Sequence, residues 1–276
     1  MAIRINTNPV SLRAQQNLNR AQAGLTKNVE RLSSGLRINR AGDDAAGSSI
    51  SSKLSSDTRS LQQASRNTND AISVIQTAEG ALGEINGVLT RMRELGVQAA
   101  NAGTMTGSER GYIDQEFQLL ESELNRIVGV TEFNGNKLID GSMSGGIDFQ
   151  VGMNNSTNDR IALSVTDSDS TALGLNDEVL TSQTGAQAAI TALDTAIQSV
   201  ATSRGTLGAT QNRLTVTLSG LSSMHENLSA ANSRIKDADI AEESASMTRN
   251  QILQQAGVAV LAQANALPQS ALALIG

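Results

Sequence analysis

Starting at Leu193, every seventh residue is aliphatic: Val200, Leu207, Leu214, Leu221, Leu228 and Ile235. A heptad sustained over that length predicts a long helix with one tight coiled-coil seam. Its companion series, Ile190, Ile197, Arg204, Gln211, Leu218, His225 and Asn232, is half polar, so a partly wet flank is expected beside the seam. A second heptad opens after Gly42. Leu54, Leu61, Thr68, Ile75, Leu82 and Leu89 form one series, with Ile50, Asp57, Ala64, Ala71, Ala78, Ile85, Met92 and Ala99 as companions. The alanines let another helix approach closely. Asp43 and Asp44, ahead of Ala45 and Ala46, read as an N-cap and acidic first turn. The run from Gly103 to Gly107 breaks the pattern, and a shorter helix follows from about Ser108 to Ile127, with Ile113, Phe117, Leu120, Leu124 and Ile127 on one face.

The two ends carry incomplete patterns. Ala14, Leu18, Ala21, Leu25, Val29, Leu32 and Leu36 follow steps of three and four, a helical face too narrow to make a core by itself. Toward the other end, Ile252, Leu253, Ala256, Val260, Leu261, Ala264 and Leu267 supply an apolar face flanked by Gln251, Gln254, Gln255, Gln263 and Asn265. Uncharged amides pack against a neighbour at less desolvation cost than ions, so the two ends are predicted to pair as helices. Residues 131–178 differ in character, being rich in Gly, Asn, Asp, Ser and Thr. Phe133 to Asn136 reads as a tight turn, and Ile147–Val151 and Arg160–Val165 alternate like short strands. The predicted fold is mainly α: long antiparallel coiled-coil helices, a small β-hairpin region at the tip, and paired N- and C-terminal helices.

Charge and composition narrow the function. Residues 1–40 hold seven basic groups against the single acid Glu30, whereas no charged residue occurs from Asn250 to Gly276. The net charge of −6 and the dispersed basic residues argue against nucleic acid as a partner. Gln and Asn recurring through the charge-free tail, with Pro268 near its end, argue against membrane insertion. The aromatic residues are Tyr112, Phe117, Phe133 and Phe149, with no Trp, a composition that suits narrow helical seams better than a compact globular core. Without cysteine there is no disulfide framework, thiolate nucleophile or thiolate metal site. Asn6, Asn8, Arg13, Gln15, Gln16 and Asn17 interrupt any apolar run of a cleaved secretory signal, so export is expected by a route that does not read one.

Catalysis finds no motif: there is no HExxH, Walker-type loop or dinucleotide fingerprint. His225 sits on a companion heptad position and reads as a polar seam residue. Glu242 and Glu243, like Asp43 and Asp44, fall at helix starts where the macrodipole accounts for them. Neither enzymatic activity nor a cofactor or metal is expected. Asn154 and Asn155 each open an Asn-x-Ser/Thr triplet.

Several runs read as sequence motifs. They are Arg31-Leu32-Ser33-Ser34-Gly35-Leu36-Arg37-Ile38-Asn39 with Asp43-Asp44-Ala45-Ala46-Gly47, Arg91-Met92-Arg93-Glu94-Leu95-Gly96-Val97-Gln98, Phe133-Asn134-Gly135, and Ser233-Arg234-Ile235 with Asp237-Ala238-Asp239. The tail adds Gln251-Ile252-Leu253-Gln254-Gln255-Ala256-Gly257, Val260-Leu261-Ala262-Gln263-Ala264-Asn265 and Pro268-Gln269. These runs resemble the bacterial flagellins, the filament subunits of the flagellum, and span nearly the whole chain in that family's order, without the large variable insertion many flagellins carry in the middle.

The resemblance implies a helical homopolymer, extracellular in the flagellum, whose assembly is coupled to folding of the terminal helices. It implies an inner layer from residues 1–42 and 236–276, and an outer layer from 43–180 (with the β region at 131–178) and 181–235. The expected polymerisation residues are Leu18, Leu25, Val29, Leu32, Leu36, Leu253, Val260, Leu261 and Leu267. Expected partners are further copies, the flagellar export apparatus and an export chaperone, and the filament cap and hook-associated proteins. The family also implies sensing by a vertebrate Toll-like receptor through Arg91, Leu95, Gln98 and Glu116, and by a plant flagellin receptor through Val29 to Ile50. An ionic link between layers from Arg40, Arg234 and Lys236 with Asp237 and Asp239 is one expectation, with solvated surface the default for exposed ion pairs. The alternative is a hook–filament junction protein, which shares the terminal helical pattern.

Overall fold

The computed structural model describes residues 7–103 and 105–272, with side chains through 266. Five helices carry the fold: α1 Pro9–Ser34, α2 Ala45–Ala99, α3 Gly107–Val130, α4 Gln183–Lys236 and α5 Ile240–Leu272. Four short strands, β1 Glu132–Phe133, β2 Asn136–Lys137, β3 Ile147–Gln150 and β4 Arg160–Leu163, lie between α3 and α4.

Helix boundaries follow from local chemistry. Asn8 caps α1 by accepting from the Ser11 amide, Pro9 occupies the first turn, and Gly35 ends the helix at φ 70° with its N–H on the Arg31 carbonyl. Asp44 caps α2 by accepting from the Gly47 amide at 2.8 Å. Asp43 does not join the first turn of α2 as expected; it turns back to accept from the amides of Asn39 and Arg40. At α3, Thr106 and Glu109 form a reciprocal capping box. The Thr106 amide and hydroxyl hold the Glu109 carboxyl below its ordinary pKa. Asn134 at φ 51° and Gly135 at φ 81° make the tight turn of the β1–β2 hairpin, where two consecutive left-handed residues match the strand twist.

The chain divides into two compact units, residues 59–226 and residues 1–58 with 227–276. In the central unit α2 and α4 run antiparallel. Arg93 pairs with Asp194 at 2.6 Å, Arg204 with Glu79 at 3.8 Å, and Gln62 meets His225 at 3.0 Å. Ile75, Leu82, Ile85, Leu89 and Met92 from α2 meet Leu193, Val200, Leu207 and Leu214 from α4 in one core, all essentially inaccessible. Gly96 faces α4 with no room to spare, since a Cβ there would lie 3.2 Å from Ile190 Cγ1. The closed side of the α4 seam is Ala189, Ala196, Ser203 and Thr210. Ile190, Ile197, Arg204 and Gln211 form the half-exposed flank that their polarity predicts.

The region between α3 and α4 is more than an appended cap. Leu138, Ile139, Met143, Val151, Leu163, Val165, Leu175 and Leu180 are buried in the same core as the helices. A continuous core therefore exists despite the scarcity of aromatic residues. Irregular segments supply the second layer that helix seams alone do not. β3 and β4 pair antiparallel, with Phe149 opposite Ile161. On α3 the buried face is Ile113, Phe117, Leu124 and Val128, and Ile127 is only half-buried.

Truncating this core has a predictable cost. Leu207→Ala and Phe117→Ala, at sites with no exposed surface, are expected to lower stability by about 2–5 and about 3–5 kcal/mol respectively. Denaturant unfolding of each variant, followed by circular dichroism, measures it.

Candidate polymerisation interface

Helices α1 and α5 pack together along antiparallel paths, and their seam is built from small and polar residues. Ala14, Ala21 and Asn28, spaced by sevens, are the buried residues of α1. On α5, Glu243, Asn250, Gly257 and Ala264 repeat at the same interval, with Glu243 and Ala264 buried and the two between half-buried. A heptad on each helix keeps one stripe facing the partner. Leu18 packs over Gly257, where a Cβ would meet Leu18 Cδ1 at an ordinary contact distance of 3.4 Å. Gly24 leaves room for the Asn250 amide, which a Cβ would approach to 2.8 Å.

Side-chain hydrogen bonds run along the seam. Asn8 Nδ2 donates to the Ala264 carbonyl at 2.7 Å, and the Ser11 hydroxyl to Asn265 Oδ1 at 2.9 Å. Gln254 Nε2 donates to Gln22 Oε1 at 2.5 Å. Near the α1 C-terminus, Asn250 Nδ2 donates to Asn28 Oδ1 at 2.8 Å, and Asn28 Nδ2 donates to Glu243 Oε1 at 2.6 Å. Arg31 completes this cluster with Nη1 3.5 Å from Glu243 Oε2.

Leu18, Leu25, Leu32, Leu36 and Leu261 are half-buried beside this seam. The expected α5 face is corrected, because Ile252, Leu253 and Val260 are each more than half exposed, as is Val29 on α1. Ala256 is also exposed, and the Leu267 side chain lies outside the described residues. At about 100° per residue, Ile252 lies behind the seam, Leu253 and Val260 on one flank and Val258 on the other. The seam takes the small positions because two helices approach closest where side chains are short, and the larger aliphatic groups are left around the rest of the circumference. Sequence reading missed Asn28, Glu243 and Asn250, although the matching seven-residue intervals were a usable signal.

The segments joining α1 to α2 and α4 to α5 are tied by backbone. Leu36 and Asp237 form an antiparallel bridge, the Arg37 amide donates to the Lys236 carbonyl at 2.7 Å, and the Ala238 amide donates to the Gly35 carbonyl at 2.9 Å. The Arg37 guanidinium adds two bonds to the Ile235 carbonyl. The expected ionic link is replaced by other partners. Asp239 caps α5 by accepting from the Ala241 and Glu242 amides, Asp237 accepts from the Ser233 hydroxyl, and Arg40 pairs with Glu30. Lys27 pairs with Asp43 at 2.7 Å. That ammonium, then the Arg40 and Asn39 amides, pulls the Asp43 carboxyl down to about 2.

In the central unit, Arg91 reaches Glu116 at 2.8 Å and Glu94 at 3.0 Å. These carboxylates, Glu116 first, hold the guanidinium above its ordinary pKa. Arg91, Gln98 and Glu116 are exposed, but Leu95 is 1 % exposed and belongs to the core. Arg91, Leu95 and Gln98, expected to act together, thus divide between surface and core, because the α2 face carrying Leu95 packs inward. Among the described residues no cluster of His, Asp and Glu is arranged to hold a metal ion.

Residues 5–144 match the family model of the bacterial flagellin N-terminal helical region, and residues 190–275 that of the C-terminal helical region. The flagellin of Halalkalibacterium halodurans is 47 % identical across 98 % of this chain and 99 % of its own length. The chain belongs to the bacterial flagellin family. The Bacillus subtilis flagellin is 41 % identical over 99 % of this chain and 100 % of that protein. A crystal structure of Bacillus cereus flagellin, 35 % identical, covers 60 % of this chain and 94 % of its own with a TM-score of 0.50. A putative flagellar hook-associated protein from Vibrio parahaemolyticus, 15 % identical with a TM-score of 0.58 over 71 % of this chain and 100 % of its own, shares the fold. As a flagellin, the chain is a structural subunit of the extracellular bacterial flagellar filament, and it self-assembles.

The Asp43 contacts make acid sensitivity testable. A depressed carboxyl pKa stabilises the folded form above the unfolded value of about 3.9, and that contribution fades as pH falls toward 2. Filaments of the unaltered chain should melt above those of Asp43→Asn at pH 5, and the gap should close near pH 2 in parallel thermal scans.

Proposed function

We propose that the terminal helix pair is the polymerising element of this flagellin, with residues 1–42 and 236–276 forming an inner layer and residues 43–180 and 181–235 an outer one. The observation that carries this reading is the apolar circumference of α5. Ile252, Leu253, Val258 and Val260 are 51–60 % exposed in the single chain, and no charge follows Arg249. A helix that carries large aliphatic groups on several sides buries them only when it is covered on several sides. α1 covers one stripe, so neighbouring copies cover the rest. Val10, Leu12 and Val29 give α1 an uncovered apolar surface of the same kind. A repeated head-to-tail contact that does not close on itself yields an open helical polymer, the geometry of a propelling filament.

Assembly is coupled to folding in this reading. The ends gain most of their apolar burial only on association, and ordering them draws on that gain. The charge-free tail also suits a channel wall past which unfolded subunits slide during growth. Export runs through the flagellar export apparatus with a chaperone, and the cap and hook-associated proteins receive the subunit at the growing end. Among the described residues no helix is long and apolar enough to cross a membrane. The role is structural rather than enzymatic.

Receptor sensing, in the same reading, uses the exposed Arg91–Glu116 surface with Gln98, and in plants the Val29–Ile50 segment. Leu95 serves that surface from beneath by holding α2 against the core.

Two experiments test these statements. A chain lacking residues 1–42 and 236–276 is expected to remain helical and monomeric by circular dichroism and light scattering; normal filaments from it under electron microscopy would refute the terminal-helix mechanism. Arg91→Ala monomer is expected to activate a Toll-like-receptor reporter cell about tenfold more weakly than the unaltered monomer, the equivalent of ~1.4 kcal/mol at the contact. An unchanged dose–response would remove Arg91 from the surface.

A further inference from the structure

The apolar surfaces of α1 and α5 attract but do not specify. Alanine and glycine on the seam, with aliphatic groups around the rest, would pack almost equally well after a shift of one heptad. Such a shift moves one helix by about 10 Å along the other, at 1.5 Å per residue. The polar cluster at the α1 C-terminus does discriminate. Asn250 donates to Asn28, Asn28 donates to Glu243, and Arg31 faces the second Glu243 oxygen. Asn28 and Glu243 are buried, at 7 % and 9 % exposure. Each helix contributes two members, so neither can satisfy the cluster alone.

We infer that Asn28, Arg31, Glu243 and Asn250 form a register lock, a set of positioning residues that selects one alignment of α1 against α5. A slip of one heptad in one direction leaves Asn250 facing Ala14, Leu18 and Ala21. The opposite slip carries Glu243 past Gly35, where α1 ends. Either slip strands a buried polar group without a partner, which costs far more than the exchange of one apolar contact for another. Buried polar side chains on otherwise apolar helix seams set register in this way, at some expense in stability. Gly24 belongs to the device because its missing side chain makes the space the Asn250 amide fills. The lock matters in a filament, where many copies of both helices crowd together and a slipped pair would misplace every outward aliphatic group.

Disulfide trapping reads the register directly, since the chain has no cysteine of its own. Ser11→Cys with Asn265→Cys reports the observed alignment, in which these side chains meet at 2.9 Å. Ser11→Cys with Val258→Cys reports a slip of one heptad, a separation a disulfide cannot span in the observed register. Each pair is placed in the unaltered seam, in Asn28→Leu/Asn250→Leu, and in Gly24→Ala. Filaments are grown from unaltered seeds and treated with a mild oxidant. The unaltered seam should cross-link mainly through positions 11 and 265, with only a trace of the 11–258 product. In Asn28→Leu/Asn250→Leu the 11–258 yield should rise to within about twofold of the 11–265 yield, as expected when two registers become nearly equal in energy. Gly24→Ala, which favours helix while displacing Asn250, should raise the 11–258 product at least severalfold (~5-fold) over the unaltered seam. Cross-linking confined to 11–265 in the altered seams overturns the inference. If the double leucine variant fails to elongate, Gly24→Ala decides alone. The inference rests on the helix pairing and fails separately from the polymerisation reading, which fails when the truncated chain assembles.

Discussion

Close contact between α1 and α5 governs this molecule. Where the heptad alanines keep the seam small and Gly24 leaves space for the Asn250 amide, dispersion and hydrogen bonding can hold a narrow seam. The consequence lies on the other sides of the helices. The larger aliphatic residues of α5 remain in water in the single chain, and in the proposed polymer neighbouring copies bury them. Folding of the ends and assembly of copies thereby draw on the same apolar surface.

The central unit solves the opposite problem. Its helices place leucine, isoleucine and valine on the seam, and the segments around β1–β4 close over it with Leu138, Ile139, Leu163 and Leu175. Such a unit is complete within one chain. A stable scaffold and an unfinished pair of ends fit a subunit that must be distinct before assembly and interlocked afterwards. Between α1 and α2, and between α4 and α5, backbone bonds rather than ion pairs tie the segments together. Backbone bonds of this kind are less exposed to salt screening than surface charges.

Polar groups at heptad positions have different meanings in the two units. On α4, Arg204 and Gln211 sit on a half-exposed flank, and the sequence reads them correctly as wet. On α1 and α5, Asn28 and Glu243 occupy the seam itself and satisfy one another. A single polar residue in a periodic pattern does not reveal which case applies. Only the partner helix does, because satisfaction requires a second group at hydrogen-bond distance.

The amino-acid sequence by itself determined the helices, their lengths, the antiparallel return and a small β-hairpin region. One-sided burial imposes a period, as in Leu193 through Leu221, and turns need particular residues, as at Asn134-Gly135. It did not determine which side of α5 meets α1, since periodicity names a face only when the other faces are polar, and α5 is apolar around much of its circumference. Nor did it reveal that Leu95 points into the core, or that Met143, Leu173 and Leu180, in irregular segments with no period, complete it. Those choices belong to the tertiary structure, where backbone approach and hydrogen-bond partners decide between faces that look alike along the chain.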